Sequence, residues 1–326
     1  MAMVITAPAN RRAHDGPRPI NLNRDIPQVL DLLKLAFGEA LDAEGQRALQ
    51  GYATPGAPPA FFWRFNPAAS RLSQGYVWEE NGRLVGNVTL LKTEINGRFL
   101  IVNVAVHPDY RRRGIARNLM NVVGDHVRQH GGRQILLQVD HDNTSAIDLY
   151  HSLQYQTLGD MTSWLGTAGR IHKLENQDDQ PVRDLRGREW QEAYALDCRA
   201  LAPDLNWPEP IPANIYQQGI WRSLNNFLNG RSSETWVTTQ EGQLTGLASI
   251  WSEWARAHHL TLRVLPEWAG WVERPLLAKT IRRLAYLPNR NVRIDHPSTD
   301  LVTGELLRQA NFKAKRTLTH MRLDLA

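Results

Sequence analysis

The alternation of apolar and polar residues predicts a chain of strands and helices. Residues 25–37 and 115–127 carry apolar side chains at helical spacing, and the second stretch ends at a pair of glycines. Asp25 is predicted to be the N-cap of the first helix, and a third helix follows Asp142 or Asn143. Strands are predicted before, between and after these helices, at residues 18–20, 75–79, 84–94, 99–106, 135–139 and 156–165. The predicted order is therefore strand, helix, three strands, helix, strand, helix, strand.

Turn residues and polar stretches divide this pattern into domains. Asn81 and Gly82 predict a hairpin turn, and a second Asn-Gly pair follows at residues 96–97. Residues 51–75, with several prolines, glycines and aromatic side chains, are predicted to form a long loop or a broken helix. A disordered tail, a first domain, a polar linker and a second domain are predicted at residues 1–16, 17–174, 175–182 and 183–326, in that order.

The second half repeats the first in weakened form. Gly-Arg-Leu-Val-Gly at residues 82–86 recurs as Gly-Gln-Leu-Thr-Gly at residues 242–246. One strand further on, Pro-Asp-Tyr at residues 108–110 matches Pro-Glu-Trp at residues 266–268. Helices and strands are then predicted in the same order, at residues 275–286, 292–295, 301–310 and 315–323. The sequence therefore predicts a tandem duplication.

Composition narrows the classes of function. Apolar residues make up 42% of the 326 residues and charged residues 22%, which is ordinary for a globular protein. No window approaches the roughly 18 apolar residues of a membrane span, and the N-terminus lacks a signal-peptide pattern, so we expect a cytoplasmic protein with no membrane partner. Cys198 is the only cysteine, which excludes an intrachain disulfide and a thiolate zinc cluster; no metal is expected.

The net charge of +5 would suit nucleic acid, a membrane surface or an anionic small ligand. No aromatic RNA-binding motif, helix-turn-helix signature or lysine-rich tail accompanies this charge, so nucleic acid is not the expected partner. Nothing in the sequence indicates an oligomeric state.

One strand-to-helix turn gathers arginines around a glycine. It consists of Arg111, Arg112, Arg113, Gly114, Ile115, Ala116 and Arg117. The first turn of a helix leaves about four backbone N–H groups unpaired at the positive end of the helix dipole, and an anion placed there accepts several of them. Gly114 leaves room for a phosphate to approach. The alternative is a solvated basic loop in which Gly114 serves only the turn geometry.

This turn resembles the acetyl-CoA signature of the GNAT family of N-acetyltransferases. In that signature a Gln or Arg, a Gly, and a Gly or Ala recur at the spacing of Arg111, Gly114 and Ala116. The resemblance covers roughly residues 17–170 and implies a tandem GNAT-like fold, α/β in class, with each domain a mixed, mostly antiparallel twisted sheet flanked by helices. It also implies that the preceding strand pairs with the pantetheine arm of the cofactor through its backbone, at Val104, Ala105 and Val106.

The segment at residues 143–155 is similar to the second motif of the same family. Asn143 begins it, Tyr150 follows seven positions later, and an aromatic residue ends it. The resemblance implies that Tyr150 protonates the coenzyme A sulfur and that Asn143 contacts the pantetheine or pyrophosphate region. The alternative for Tyr150 is a core aromatic on the buried stripe of its helix.

The implied reaction moves an acetyl group from acetyl-CoA, as cosubstrate, to a primary amine of a small molecule or a peptide. Transfer would be direct, in a ternary complex, with the active site in the N-terminal domain. Many relatives carry a glutamate where this sequence has Gln138, and glutamine cannot take up a proton. Candidate bases nearby are Glu94, His107, Asp140 and His141. The alternative function is a non-catalytic acyl-CoA sensor or a protein-interaction module.

The second half departs from the motifs where the chemistry would take place. Its turn after Pro266 lacks a glycine at the helix entry and carries Glu267 and Glu273, which would repel a pyrophosphate. Leu307 stands at the position aligned with Tyr150. We therefore expect a degenerate second copy and one cofactor per chain.

Overall fold

A computed structural model describes residues 15–38, 74–167, 169–175, 181–207, 209–219, 226 and 228–325. The described residues form two compact units. One draws on Met1–Gln138, Asp148–Tyr155 and Arg322–Ala326, and the other on Val139–Ile147 and Gln156–Met321. Most of the predicted tail, residues 51–73 of the predicted loop and part of the linker lie outside the described residues, whereas Gln74 and Gly75 belong to a strand. The predicted domain boundaries stay predictions.

The first unit contains a sheet in the order β1-β2-β3-β4-β5. Its strands are β1 (Gly16–Pro19), β2 (Gln74–Glu80), β3 (Arg83–Lys92), β4 (Arg98–Val106) and β5 (Gln134–Asp140), the last two residues of β5 belonging to the second unit. Neighbouring strands are antiparallel except β4 and β5, which are parallel. Its helices are α1 (Leu22–Phe37), α2 (Ile115–Gln129) and the larger part of α3 (Thr144–Ser152).

Helix α1 begins earlier than the sequence predicts. Its N-cap is Asn21, whose side chain accepts the N–H of Asn23 at 3.1 Å, so the prediction of Asp25 as N-cap is wrong. Asp25 is fully buried and accepts two hydrogen bonds from Arg18 on β1, at 2.6 and 2.9 Å. The carboxylate is therefore used for a contact between helix and strand, with an arginine whose geometry suits a bidentate pair.

Both predicted hairpins are present. Asn81 and Gly82 have φ angles of 51° and 77°, the left-handed pair that a two-residue turn between β2 and β3 requires. Gly97 has a φ of 79° in the turn that leads into β4. These turns join β2 to β3 and β3 to β4.

The second unit contains a sheet in the order β12-β6-β11-β10-β9-β8-β7. Its strands are β6 (Gln156–Gly166), β7 (Val182–Asp184), β8 (Arg231–Gln240), β9 (Gln243–Glu253), β10 (His258–Val264), β11 (Val292–Pro297) and β12 (Phe312–Asp324), the last as far as Met321. Its helices are α4 (Trp190–Ala200), α5 (Glu273–Leu284) and α6 (Leu301–Gln309). β10 and β11 are parallel. No helix among the described residues has the length and apolar character needed to cross a bilayer.

The order of elements confirms the predicted duplication of the fold. The series from β1 to β6 and the series from β7 to β12 each run strand, helix, three strands, helix, strand, helix, strand. The parallel pair occupies the same place in both series, and each has a bulge at the same place in its first hairpin, at Trp78/Glu79 and at Thr238/Thr239.

A glycine lies where a helix crosses the sheet in both series. A Cβ on Gly86 of β3 would lie 2.8 Å from Ile115 Cγ2 of α2, and one on Gly246 of β9 would lie 2.9 Å from Leu276 Cδ1 of α5. Both distances are shorter than a carbon–carbon contact allows. The repeated glycine is therefore required by helix–sheet packing.

Candidate functional site

The arginine-rich turn joins β4 to α2 and leaves the start of the helix open. A short 3₁₀ turn, Pro108–Tyr110, is followed by Arg112 and Gly114 with φ angles of 61° and 77°. Gly114 is the N-cap of α2, and no side chain caps the helix there. A Cβ on Gly114 would meet only Asn118 Nδ2, at 3.8 Å. The first-turn N–H groups of α2 therefore face space that an anion can enter.

The four arginines of the turn have different surroundings. Three contact protein groups: Arg111 Nε donates to Val106 O at 3.3 Å, Arg113 Nη1 to Glu80 Oε1 at 3.2 Å, and Arg117 Nη2 to Ser152 Oγ at 2.8 Å. Arg112 is exposed and makes no hydrogen bond or ion pair with the described residues. Its guanidinium is the one whose charge is available to a ligand without breaking an existing contact.

The other two residues of the turn differ in what they can offer a ligand. Ile115 is buried under Gly86, so only its backbone remains for a ligand. Ala116 is half-buried and follows it in the first turn of α2.

The matching turn in the second series is filled by the chain itself. Glu273, the first residue of α5, is 1% exposed, and its two carboxylate oxygens accept the N–H of Gly270 at 2.8 and 2.9 Å. The N–H of Val272 donates to the same carboxylate at 3.2 Å. Burial raises the pKa of the Glu273 carboxyl, against the lowering effect of these hydrogen bonds. The place that an anion would take is thus held by an internal carboxylate.

The two acidic residues predicted to repel a pyrophosphate therefore act differently. Glu267 lies at the surface, where it accepts a hydrogen bond from Arg199 at 2.9 Å. Glu273 does more than repel, because it already satisfies the backbone donors of the turn. Leu307, aligned with Tyr150, is fully buried in the core of the second unit.

Strand β4 is irregular just before the turn. Its parallel pairing with β5 ends at Ile101 and Leu137, and Gln138 follows on β5, half-buried. Two residues of β4, Asn103 and Val104, oppose a single residue of β3, which makes a β-bulge. Asn103 has a φ of 55°, a left-handed conformation that asparagine tolerates better than most residues. Val104 and Val106 are half-buried, whereas Ala105 packs in the core beneath α1.

Tyr150 is buried in α3, with 5% of its surface exposed. Its ring lies 5.9 Å from that of Tyr155, tilted by 57°. Burial raises the pKa of Tyr150 to about 12 and raises that of Tyr155 as well. Tyr150 is consequently a neutral phenol, a hydrogen-bond donor, at any ordinary working pH.

Asn143 caps helix α3, as predicted. Its Oδ1 accepts the N–H of Ala146 at 3.2 Å and the hydroxyl of Ser145 at 3.1 Å. Asn143 is exposed. Its predicted cofactor contact stays a prediction.

The four candidate bases differ in exposure and in their hydrogen-bond partners. His107 is buried, and its Nε2 lies 2.9 Å from Arg83 Nη2, which can only donate. Its Nδ1 lies 3.3 Å from the backbone nitrogen of Asp109, so both ring nitrogens already face donors of the protein. His141 Nδ1 lies 3.4 Å from Asp160 Oδ2, whereas Glu94 and Asp140 are exposed. Across the described ranges, no group of three or more His, Cys, Asp or Glu side chains is placed to hold a metal ion.

Sequence reasoning missed the groups that hold this region in place. Asn87 on β3 is fully buried and its Nδ2 donates to Asn103 O at 2.8 Å. Glu80 and Ser152 hold two of the arginines. An alignment of the two halves could have found Asn87, because Leu247 occupies the equivalent position after the repeated glycine.

Comparison with known proteins connects this geometry to a family. Residues 29–155 match the acetyltransferase (GNAT) family. The chain is 35% identical over 86 residues to an acetyltransferase of Pectobacterium atrosepticum, covering 26% of this chain and 60% of that protein. It is 29% identical over 99 residues to the ribosomal protein bS18-alanine N-acetyltransferase of Escherichia coli, covering 29% and 66%. The chain thus spans less than two thirds of the length of either relative.

A solved structure extends the likeness of fold along most of the chain. The crystal structure of a GCN5-related N-acetyltransferase from Sphaerobacter thermophilus has a TM-score of 0.54 to this protein and 16% sequence identity. The match covers 94% of this chain and 95% of that one. The second series of elements is therefore included in the shared fold.

Proposed function

Because the chain belongs to the acetyltransferase (GNAT) family, we propose that it is an N-acetyltransferase that uses acetyl-CoA. The acceptor would be a primary amine of a small molecule or a peptide, acetylated directly in a ternary complex at the first turn. The observation that carries the proposal is the contrast between two equivalent turns. One is open at Gly114 and the other is closed by Glu273.

The residues of the first turn fit the pyrophosphate of coenzyme A. The open start of α2 offers backbone N–H groups and the positive end of the helix dipole, and Arg112 adds a charge without a protein partner among the described residues. Acetyl-CoA would supply an activated acyl thioester. We assign Arg111, Arg112, Arg113, Gly114, Ile115, Ala116 and Arg117 to this site, Ile115 through its backbone alone. The cofactor contact expected of Asn143 stays a prediction.

The remaining residues would contact the acetyl group and the sulfur of acetyl-CoA. A backbone N–H at Val104, Ala105 or Val106 would bind the acetyl oxygen, where negative charge develops during transfer. Tyr150 would donate a hydrogen bond to the sulfur as the thiolate leaves. The ordinary pKa of a thiol is about 8.5, well below the value of about 12 for Tyr150, so the tyrosine favours the role of donor over complete loss of its proton.

A binding experiment with matched variants tests the cofactor site. Gly114→Glu should weaken acetyl-CoA binding by about 100-fold or more, because its carboxylate would face the pyrophosphate. Gly114→Ala is the control, since any side chain at a φ of 77° costs about 1–2 kcal/mol of strain without adding charge. Calorimetry on both variants separates the two effects. Equal affinity of wild type and Gly114→Glu would remove the turn from the site.

A turnover assay tests the reaction. The name of the Escherichia coli relative suggests including peptides with an N-terminal alanine, beside lysine peptides and small primary amines. We expect thiol release that depends on one class of amine. Gln138, in place of a carboxylate, favours the second candidate, a non-catalytic acyl-CoA sensor or protein-interaction module. Tight acetyl-CoA binding with no thiol release for any amine would support that candidate instead.

A further inference from the structure

Asn87 combines complete burial with an incomplete set of hydrogen bonds. Its side chain is on β3, 0% exposed, opposite Ala105 of β4. Its Nδ2 donates to the carbonyl oxygen of Asn103 at 2.8 Å and lies 3.4 Å from the hydroxyl of Thr89. Its Oδ1 is buried and has no hydrogen-bond partner in the described structure. A buried oxygen without a hydrogen bond destabilises the folded state.

The hydrogen bond from Asn87 fixes the direction of one peptide group. In a trans peptide the C=O and the following N–H point in opposite directions. Holding the carbonyl of Asn103 towards Asn87 therefore directs the N–H of Val104 away from it. The pairing of β3 with β4 gives neither Asn103 nor Val104 a partner residue. The side-chain hydrogen bond from Asn87 holds this carbonyl.

The second copy of the fold lacks both features. The equivalent of Asn87 is Leu247, which follows the repeated glycine and is fully buried. The strands β9 and β10 pair without a register shift from His259 to Val264, so no bulge is present there. This copy also has its anion turn closed by Glu273. The buried amide and the bulge thus occur together with the open turn and are absent together from the closed one.

We propose that Asn87 is a positioning residue of the acyl-transfer site. It holds the bulge at Asn103 so that the N–H of Val104 is presented to the carbonyl oxygen of the acyl thioester. The two local costs, a left-handed Asn103 and an unsatisfied Asn87 Oδ1, are then the strain of a preorganised site. This inference rests on the proposed acetyl-CoA site.

The first experiment measures affinities and needs no turnover. A hydrogen bond to the acetyl carbonyl should make acetyl-CoA bind about 2- to 10-fold more tightly than coenzyme A. Asn87→Leu, which copies the second half, should abolish this difference and leave the affinity for coenzyme A within about twofold of wild type. Thr89→Val is the matched control, because it removes a neighbouring buried hydroxyl and keeps the bond from Asn87 to Asn103. It should retain the difference.

The second experiment uses a titratable substitution. Asn87→Asp cannot donate to Asn103 O as a carboxylate, but it can when protonated. Its kcat relative to wild type should therefore rise as the pH is lowered, while Asn87→Leu stays about 10- to 100-fold below wild type at every pH.

Two results would overturn the role of Asn87. One is a retained preference for acetyl-CoA in Asn87→Leu. The other is an equal loss of affinity for both ligands, which would indicate a purely structural residue. A third result separates this inference from the proposed function. If wild type prefers acetyl-CoA to coenzyme A and Asn87→Leu does not, but no amine is acetylated, the proposed acetyl transfer is refuted and the positioning role of Asn87 is retained.

Discussion

Replacing Glu273 tests the idea that an internal carboxylate fills the second turn. Glu273→Ala leaves the N–H groups of Gly270 and Val272 without their acceptor. Val272 is buried, and an unpaired buried donor costs about 1–3 kcal/mol, whereas Gly270 and the neighbouring Trp271 are exposed, so water relieves part of the loss. We therefore expect a loss of about 2 kcal/mol. That lowers Tm by about 4–8 °C, at roughly 2–4 °C per kcal/mol for a domain of this size class.

Glu273→Gln is the matched control, because it keeps an acceptor oxygen and should lose less than half as much stability. Its pH dependence should differ from that of wild type. The pKa of Glu273 is raised on folding, so the folded state holds this proton more tightly than the unfolded state. The unfolding free energy of wild type should therefore fall as the pH rises through and just above the ordinary glutamate value of about 4.3, and the Gln variant should lack this decrease.

Differential scanning calorimetry with added phosphate completes the test. If the vacated turn of Glu273→Ala takes phosphate with a Kd on the order of 1 mM, then 10 mM phosphate recovers about 1.4 kcal/mol. Phosphate at the open first turn would stabilise both proteins alike, so the second turn is reported by the extra gain of Glu273→Ala over wild type at the same ionic strength. A Glu273→Ala protein with the Tm of wild type and no extra response to phosphate would refute the reasoning.

Two further predictions concern Tyr150 and Asp300. Tyr150→Phe should lower kcat by about 100-fold or more while keeping the affinity for acetyl-CoA, and an unchanged rate in steady-state assays would exclude the hydroxyl from the reaction. Burial alone would raise the pKa of Asp300, but hydrogen bonds from His296 and Thr303 hold it at about 2. A lowered pKa stabilises the folded state above the ordinary value of about 3.9 and is lost as the pH falls towards 2, so about 2 kcal/mol of unfolding free energy should disappear over that range. Asp300→Asn should show a smaller loss in urea titrations, and an identical loss would contradict this assignment.

Local patterns predicted most elements because each depends on neighbouring residues. The turn at Asn81 and Gly82 needs only its own backbone preference, and the start of α2 follows from the glycine before an amphipathic stretch. The prediction for Asp25 failed for a different reason. Its sequence context suits an N-cap, but Arg18 on another element recruits the side chain into the interior.

The same limit applies to the candidate site. The bulge at Asn103 is defined by which residue of β3 it faces, so no local pattern indicates it. The charge of Glu273 predicts repulsion of a phosphate. That its carboxylate accepts the backbone N–H groups of its own turn depends on how the turn folds. The sequence identifies the motif residues, whereas the groups that orient them can be identified only from the tertiary structure.

The glycine at the helix crossing has a consequence for tracing the history of such proteins. Gly86 and Gly246 occupy equivalent positions, although only one of the two helix starts is left without a side-chain cap. Loss of catalysis relaxes selection on the turn, but a methyl group at the crossing would still collide with the helix. Duplicated domains that no longer catalyse a reaction should therefore remain recognisable by the strand glycine after the sequence of the turn has diverged.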